Sequence, residues 1–316
     1  MLTEKANTIC LLEILQEYSD AEHILSMQEI QTKMGQIYGL NPDRRTIYSA
    51  LGLLLELGYD ISMYDENKKG YYLRSRQIEP AEIALLTGAV HAFPFIPAKQ
   101  SEQLIAKLQK QISVHQRKQY RHLTVVREEK KTDNKQVFWN IEQLDEAIAQ
   151  KKKVAFTYLE YHIDKKLHPR REEKYIVNPY EMVYTNEHYY LICTLDGYEN
   201  TSLYRIDRMA DIEILNDTRE SKVNYKSETE DAVYAFSGQP ERISIKCDIC
   251  ILNDVIDKFG TEIIIKPLDN RYFMTTFTAS PRGIKYWALQ YLPYAEVVEP
   301  KWLREEIKES LEKNLY

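Results

Sequence analysis

Two short segments hold the side chains best suited to chemistry: His188-Tyr189-Tyr190-Leu191 and Tyr204-Arg205-Ile206-Asp207-Arg208-Met209. Aromatic rings stack on nucleobases, and guanidiniums hold phosphates through paired hydrogen bonds. Both segments read as strands, so together they would make a small nucleotide-recognition surface. Alternation along a strand divides these residues between two faces. Tyr190 and Ile192 oppose Tyr189 and Leu191, and Tyr204 and Ile206 oppose Arg205 and Asp207. One set must serve a core, and Leu191 is expected there. The alternative is that the rings serve the fold and that Arg205 and Arg208 pair with Asp207 or Asp211.

A second chemical group lies near the N-terminus. Three helical patterns run in succession, with apolar stripes Thr8, Leu11, Leu12, Leu15, then Ile30, Met34, Ile37, then Ile47, Leu51, Leu54, Leu55. Ser26 with Glu29 reads as a capping box, and Gly39 ends that helix. Asn41 is expected as the cap of the third helix, with Pro42 at its first position and Gly58 closing it. Strands at Ile61 to Tyr64 and Tyr71 to Leu73 flank a polar tip, Asp65 to Gly70. Three helices and a basic-tipped hairpin are the layout of a winged helix-turn-helix. The third helix would enter a major groove and shows Arg44, Arg45, Thr46, Tyr48 and Ser49 in its first turns; with Ile47 inward, Arg45 and Ser49 lie on the far side with Tyr48 and Thr46 flanking. Lys68 and Lys69 at the tip suit the DNA backbone or minor groove. Residues 1 to 76 hold 8 Lys/Arg against 11 Asp/Glu, which favours an ordinary interaction module. The basic residues nevertheless cluster at Arg44, Arg45 and at Lys68, Lys69, Arg74, Arg76, as a recognition helix and wing require.

Two further helices follow, with stripes Ile83, Leu86, Val90 and Leu104, Ile105, Leu108, Ile112. Two such helices are too small for a core of their own and must pack on neighbours or on a second copy. Residues 107 to 131 carry Lys107, Lys110, Arg117, Lys118, Arg121, Arg127, Lys130 and Lys131 against two acidic residues. That run either lies along phosphates or is a solvated linker. After one amphipathic helix marked by Ile141, Leu144 and Ile148, five or six short strands suggest a small bent barrel. They cover Val154 to Tyr161, Lys174 to Val177, Glu181 to Thr185, Tyr189 to Thr194, Ser202 to Asp207 and Asp211 to Leu215, with a turn at Thr185 to His188. An acidic loop with Glu220, Glu228, Glu230 and Asp231 leads to a β-α-β-β-α-β pattern, the order of a ferredoxin-like sandwich.

Composition bounds the rest. The chain has 316 residues, 44% hydrophobic and 28% charged, with a net charge of -6. That balance argues against indiscriminate coating of nucleic acid but leaves local patches free to bind it. Twenty-four Tyr against eight Phe suits wet binding surfaces or reflects compositional habit. Four cysteines make no disulfide framework in a chain this long. Cys247 and Cys250 lie on an alternating strand running to Ile251 and so on opposite faces, which disfavours a metal or redox pair. No apolar run reaches membrane length and no secretory leader is visible, so a cytoplasmic address with no membrane partner is expected. Nucleotide-loop, zincin and nucleophile-elbow motifs are absent, so the chain is expected not to be an enzyme and to need no cofactor or metal.

Four stretches resemble WYL domains in order and approximate spacing: Phe156-Thr157-Tyr158, Asn178 to Val183, Tyr189 to Ile192, and Tyr204 to Met209. Tyr189 stands where that family usually has Trp, which keeps a ring but reduces its area. The Arg-Arg-Thr-Ile-Tyr run at 44 to 48 and the Gly70-Tyr71-Tyr72-Leu73 end resemble the N-terminal domains joined to WYL regulators. Ser280 to Leu289 and Ala295 to Pro300 resemble the C-terminal extension that often follows. The resemblance implies an α+β chain of four parts: a winged helix-turn-helix over 1–76, a helical linker and dimerisation region over 77–135, an Sm-like barrel over 136–220, and a ferredoxin-like extension over 240–316. It implies an effector-responsive transcription regulator, a homodimer on a double-stranded operator, sensing a nucleotide or oligonucleotide. Carried over residue by residue, the effector contacts are Tyr158, Tyr189, Tyr190, Arg205 and Arg208, with Arg282 from the extension; His168, Arg170 and Arg171 are weaker candidates. The alternative is an accessory subunit of a nucleic-acid-processing or phage-defence system.

Overall fold

Local capping fixes the first helices. In the computed structural model, which describes residues 6–118, 131–185, 187–221 and 240–313, Ser26 and Glu29 cap each other at the start of α2 (Met27–Tyr38). Gly39 closes that helix in the left-handed conformation that glycine adopts without penalty. Helix α1 (Asn7–Tyr18) buries Cys10, Leu11, Ile14 and Leu15 against α2 and α3 (Arg44–Glu56). The cap of α3 is Asp43, not Asn41: its Oδ1 accepts the Thr46 N–H at 2.8 Å, so the helix starts after Pro42. Ala50 joins Ile47, Leu51 and Leu54 in the core, while Leu55 and, on α2, Ile37 are exposed.

Beyond α3 the chain forms a two-stranded antiparallel ribbon, β1 (Ile61–Ser62) and β2 (Tyr72–Leu73). Its connection contains a short helical turn, α4 (Tyr64–Asn67), where a simple polar tip was expected. Helices α5 (Pro80–Ala92) and α6 (Ala98–Gln109) follow. Ile83, Ala84 and Val90 are buried on α5, whereas Leu85 and Leu86 face outward. All these elements belong to one compact unit, Met1–Asp133. Arg121, Arg127 and Lys130 of the basic run lie outside the described residues.

The second unit, Asn134–Tyr316, holds two sheets. Helix α7 (Val137–Ala149) packs on a curled antiparallel sheet of β3 (Lys152–Tyr161), β4 (Leu167–Pro169), β5 (Tyr175–Thr185), β6 (His188–Leu195), β7 (Thr201–Arg205) and β8 (Met209–Thr218). The order is β4-β3-β5-β6-β7, and β8 pairs with β3. Strand β3 lies between β5 and β8, which pair with the same residues Val154 and Ala155, and pairs with β4 farther along at Leu159–Tyr161, with register shifts along its β8 edge. The expected strands 174–177 and 181–185 are one strand, β5, with a register shift at Pro179/Glu181. Asn186 in the β5–β6 turn lies outside the described residues, as do Glu228, Glu230 and Asp231.

The C-terminal sheet runs β10-β11-β9-β12 and is antiparallel throughout. Its strands are β9 (Glu241–Asp248), β10 (Ile264–Pro267), β11 (Tyr272–Ala279) and β12 (Ala295–Glu299), joined by α8 (Leu252–Phe259) and α9 (Pro281–Gln290) and followed by α10 (Lys301–Glu312). This interleaved order is that of two split β-α-β units. Trp287 of α9 and Ile243, Ile245 and Cys247 of β9 anchor its core. Strand β9 stops at Asp248, short of the expected Ile251. Cys250 therefore sits exposed in a one-turn helix while Cys247 is buried. Among the described residues no helix is long and apolar enough to cross a membrane.

Candidate functional site: a cationic turn on the curled sheet

The chain leaves β7 at Arg205, makes one tight turn at Ile206–Arg208, and enters β8 at Met209. Ile206 is fully buried and fixes the turn to the core. Arg205 then reaches over the turn. Its Nε donates to Asp207 Oδ1 at 3.0 Å and its Nη2 to Oδ2 at 2.7 Å, a two-point ion pair on a buried carboxylate. Two asparagines hold the turn from behind. Asn140 Nδ2 donates to the carbonyls of Ile206 (3.2 Å) and Met209 (2.8 Å). Asn134 Nδ2 donates to Asp207 (2.9 Å) and Met209 (2.7 Å).

Strand β6 lies alongside, with Tyr190 opposite Arg205 and Leu191 opposite Tyr204. Tyr190, Tyr158, Arg205, Asp207, Arg208 and His188 form one electrostatic neighbourhood. The His188 and Tyr190 rings meet edge to face at 6.4 Å. Partial burial, with Arg205 and Arg208 beside it, holds the His188 imidazole below its ordinary pKa, and the Asp207 carboxylate only partly offsets this. Burial likewise raises the hydroxyl pKa of Tyr158 and of Tyr190. His188 Nδ1 and Arg208 Nε are buried without a hydrogen-bond partner among the described residues. Unsatisfied buried polar atoms cost stability unless a water or another polar group fills their valence. The Arg208 guanidinium lies 5.8 Å from the centre of the Tyr161 ring. Arg205 is compensated by Asp207, which leaves the Arg208 guanidinium beside the aromatic rings, with the exposed Glu187 carboxylate also within electrostatic reach of His188.

The sequence-derived contacts divide. Arg205, Arg208 and Tyr190 come together. Tyr158 joins them only by its edge: its ring packs in the core against Phe156 and Tyr204, and its hydroxyl accepts the Arg205 backbone N–H at 3.3 Å. Tyr189 lies on the other side of β6, 5.1 Å from the Tyr184 ring and against the core of the curled sheet. Leu191 is in that core, as expected. Arg282 lies exposed in the first turn of α9, in the C-terminal sheet region. His168 bonds Asp164 at 2.7 Å, Arg170 pairs with Glu160 at 3.6 Å, and Arg171 covers the Tyr175 ring at 3.7 Å. His188, Asp207, Asn134 and Asn140 were not singled out from sequence as site residues. His188 had a visible signal, since it abuts the aromatic run; the asparagines had none.

In the first unit, α3 exposes Arg44, Arg45, Tyr48 and Ser49, with Thr46 half-buried. Arg45, Thr46, Ser49 and Leu53 line a groove of about 370 Å³ with Asn7 and Thr8 of α1. The Tyr71 hydroxyl donates to that of Tyr48 at 3.3 Å, tying the ribbon to α3. At the ribbon tip Asn67 accepts the backbone N–H groups of Lys69 (2.6 Å) and Gly70 (2.8 Å), leaving the Lys68 and Lys69 side chains exposed. Arg74 and Arg76 do not belong to this basic surface. Arg74 pairs with Asp60 and Glu66, and Arg76 donates to the carbonyls of Ser19 and Gln111. Lys131 also turns inward, onto the carbonyls of Val90 and Phe93 and onto Ser101.

Residues 140–214 match the WYL domain family, and residues 240–315 match the WCX domain family. Among solved structures, proteasome accessory factor B/C (PafBC) of Arthrobacter aurescens aligns at 12% identity and a TM-score of 0.27, covering 98% of this chain and 48% of that one. A CRISPR Cas-related protein aligns at 18% identity and a TM-score of 0.36, covering 68% of this chain and 63% of that one. This chain thus spans about half the length of the first and under two thirds of the second. No curated protein matches it. The cationic turn and its flanking strands lie inside the first family match, so the chain carries its candidate site in a WYL domain, with a WCX domain following.

Proposed function

We propose that this protein is a DNA-binding transcription regulator, not an enzyme, whose WYL domain senses a nucleotide or oligonucleotide. The observation that carries the sensing half is the pair of orphaned polar atoms, His188 Nδ1 and Arg208 Nε, beside the Tyr190 ring. Arg208 makes no hydrogen bond or ion pair among the described residues, so its donors are available to a phosphate. Arg205 spends two donors on Asp207 and acts as a partly neutralised neighbour. Tyr190 and His188 offer ring edges and faces, whereas Tyr189 is turned to the other side of β6; Arg282 is kept as a secondary contact on this reading. The curled sheet is read here as an Sm-like barrel.

The DNA-binding half rests on the outward face of α3. We read α1 to α3 and the ribbon as a winged helix-turn-helix, with Arg44, Arg45, Thr46, Tyr48 and Ser49 toward the major groove and Lys68 and Lys69 on the backbone. Leu85 and Leu86, exposed on α5, suit a second copy, which would place two such helices on two half-sites. Effector binding must favour one arrangement of the protein over another to change operator affinity. Selection of operator sequences from a random duplex pool, followed by gel shift with Arg44→Ala/Arg45→Ala, tests the first half. Undiminished binding by that variant rejects α3 as the reading element. Titration of short single-stranded oligonucleotides into wild type and Arg208→Ala tests the second half.

A further inference from the structure

We propose that Tyr161, on the hairpin of β3 and β4, is the platform on which a nucleobase stacks while Arg208 holds the adjoining phosphate. The inference rests on the reading of the cationic turn as an anion site and adds the ring that receives the base. The rings expected from sequence to do this are spent on the fold. Tyr158 and Tyr190 are each only 9% exposed. The Tyr158 ring meets Phe156, Tyr175 and Tyr204 edge to face. Tyr189 is turned to Tyr184 on the other side of β6. A base needs an open ring face, because stacking gains come from the overlap of two flat surfaces.

Tyr161 is 49% exposed, and the pairing of β3 explains why. As far as Tyr158, which pairs with Met209, the strand runs beside β8. Beyond it, Leu159, Glu160 and Tyr161 pair with Pro169, His168 and Leu167 of β4. The hairpin is held by its own contacts. The His162 N–H donates to the Lys166 carbonyl at 3.1 Å, and the His162 and His168 rings stack at 4.5 Å. At its base the Arg170 N–H donates to the Tyr158 carbonyl at 2.8 Å. Tyr161 therefore sits on a built support with much of its surface open.

Arg208 ties this ring to the anion site. Its guanidinium lies 5.8 Å from the Tyr161 ring centre, near the outer limit of about 6 Å for a cation over a ring. Arg171, by contrast, covers the Tyr175 ring at 3.7 Å, and Tyr175 is 7% exposed. Arg208 is thus close enough to Tyr161 for one ligand to touch both, and too far to cap the ring as Arg171 caps Tyr175. A nucleotide presents an anionic oxygen group and a flat ring a few bonds apart, which is what the orphaned Arg208 Nε and the open Tyr161 ring are placed to receive. Larger bases overlap the ring better, so purines are favoured over pyrimidines.

The test is fluorescence anisotropy on the full chain with two labelled probes of equal length, a short oligodeoxyadenylate and its abasic phosphodiester counterpart. Wild type is expected to bind the adenine probe about tenfold more tightly, within the range for one base on one ring. Tyr161→Ala is expected to erase that ratio by weakening the adenine probe alone. Tyr161→Phe is expected to keep it, because the face matters and the hydroxyl does not. A ratio unchanged in Tyr161→Ala overturns the platform. So does an equal loss on both probes, which would mark Tyr161 as a support of Arg208, and so does a Phe variant that behaves as the Ala variant does. If wild type binds both probes equally and Arg208→Ala loses both, the anion site stands and the stacking falls. If wild type binds neither probe, both fall together.

Discussion

Arg205 and Asp207 grip each other across a single tight turn, through Nε–Oδ1 at 3.0 Å and Nη2–Oδ2 at 2.7 Å, with the carboxylate almost fully buried. Removing one partner of such a pair leaves the other desolvated and unpaired. Asp207→Asn is expected to lower stability by about 2 kcal/mol, read by chemical denaturation. A loss below a few tenths of a kcal/mol would mean that the pair is solvated in solution.

On the proposed reading, anion binding should depend on pH through His188 in a defined sense. Burial and two neighbouring guanidiniums depress its pKa, so at neutral pH the ring is uncharged. Because the folded pKa lies below the unfolded one, the unfolded chain takes up the proton first, and stability falls as pH drops below about 6.5. Any bound phosphate favours the imidazolium, so oligonucleotide affinity should rise over the same interval. In His188→Gln the rise should be lost, which a titration series from neutral to mildly acid pH checks.

The exposed α3 arginines should act through phosphates and bases together. In Arg44→Ala/Arg45→Ala, duplex affinity should fall and the slope of log affinity against log salt should shrink by about 2. A salt series by fluorescence anisotropy measures both quantities. An unchanged slope would place the duplex elsewhere on the protein.

Gly70 is required by a close approach, not by its φ angle. A Cβ there would lie 2.2 Å from the Leu25 carbonyl oxygen, inside the pairing of Leu25 with Tyr71. Gly70→Ala must push the ribbon off α2's leading segment and should cost about 3 kcal/mol. Calorimetry of the variant gives the number. A melting temperature equal to wild type would show that the ribbon does not dock as described.

Features set by near neighbours were legible in the sequence. The Ser26–Glu29 box and Gly39 stop are local, and both are present. Asn41-Pro42-Asp43 offered two caps, and Pro42 fits a first helical position. Only the reach of Asp43 Oδ1 to the Thr46 N–H decides between them. Ile37, Leu55 and Leu86 have core spacing yet stay exposed, because helical periodicity cannot choose between adjacent apolar faces. Counting charge placed Arg74 and Arg76 with the basic surface, whereas Arg74 is neutralised at the surface by Asp60 and Glu66 and Arg76 is spent on backbone carbonyls; Lys131, from a run that could have lain along phosphates, turns inward. The cationic turn was legible through its Arg and Tyr residues. Its supports were not: Asn134 and Asn140 bond carbonyls 66 to 75 residues away, a distance no local pattern encodes.

On the proposed reading, the unpartnered Arg208 guanidinium donates to an anionic oxygen group. The direct measurement is calorimetric titration of a short single-stranded DNA oligonucleotide into wild type and Arg208→Ala, with unfolding curves confirming that both are folded. Saturable binding by wild type is expected, weakened about tenfold or more in the variant, as loss of a charge-assisted contact requires. Equal affinity in the two proteins, or no binding to wild type, would contradict it.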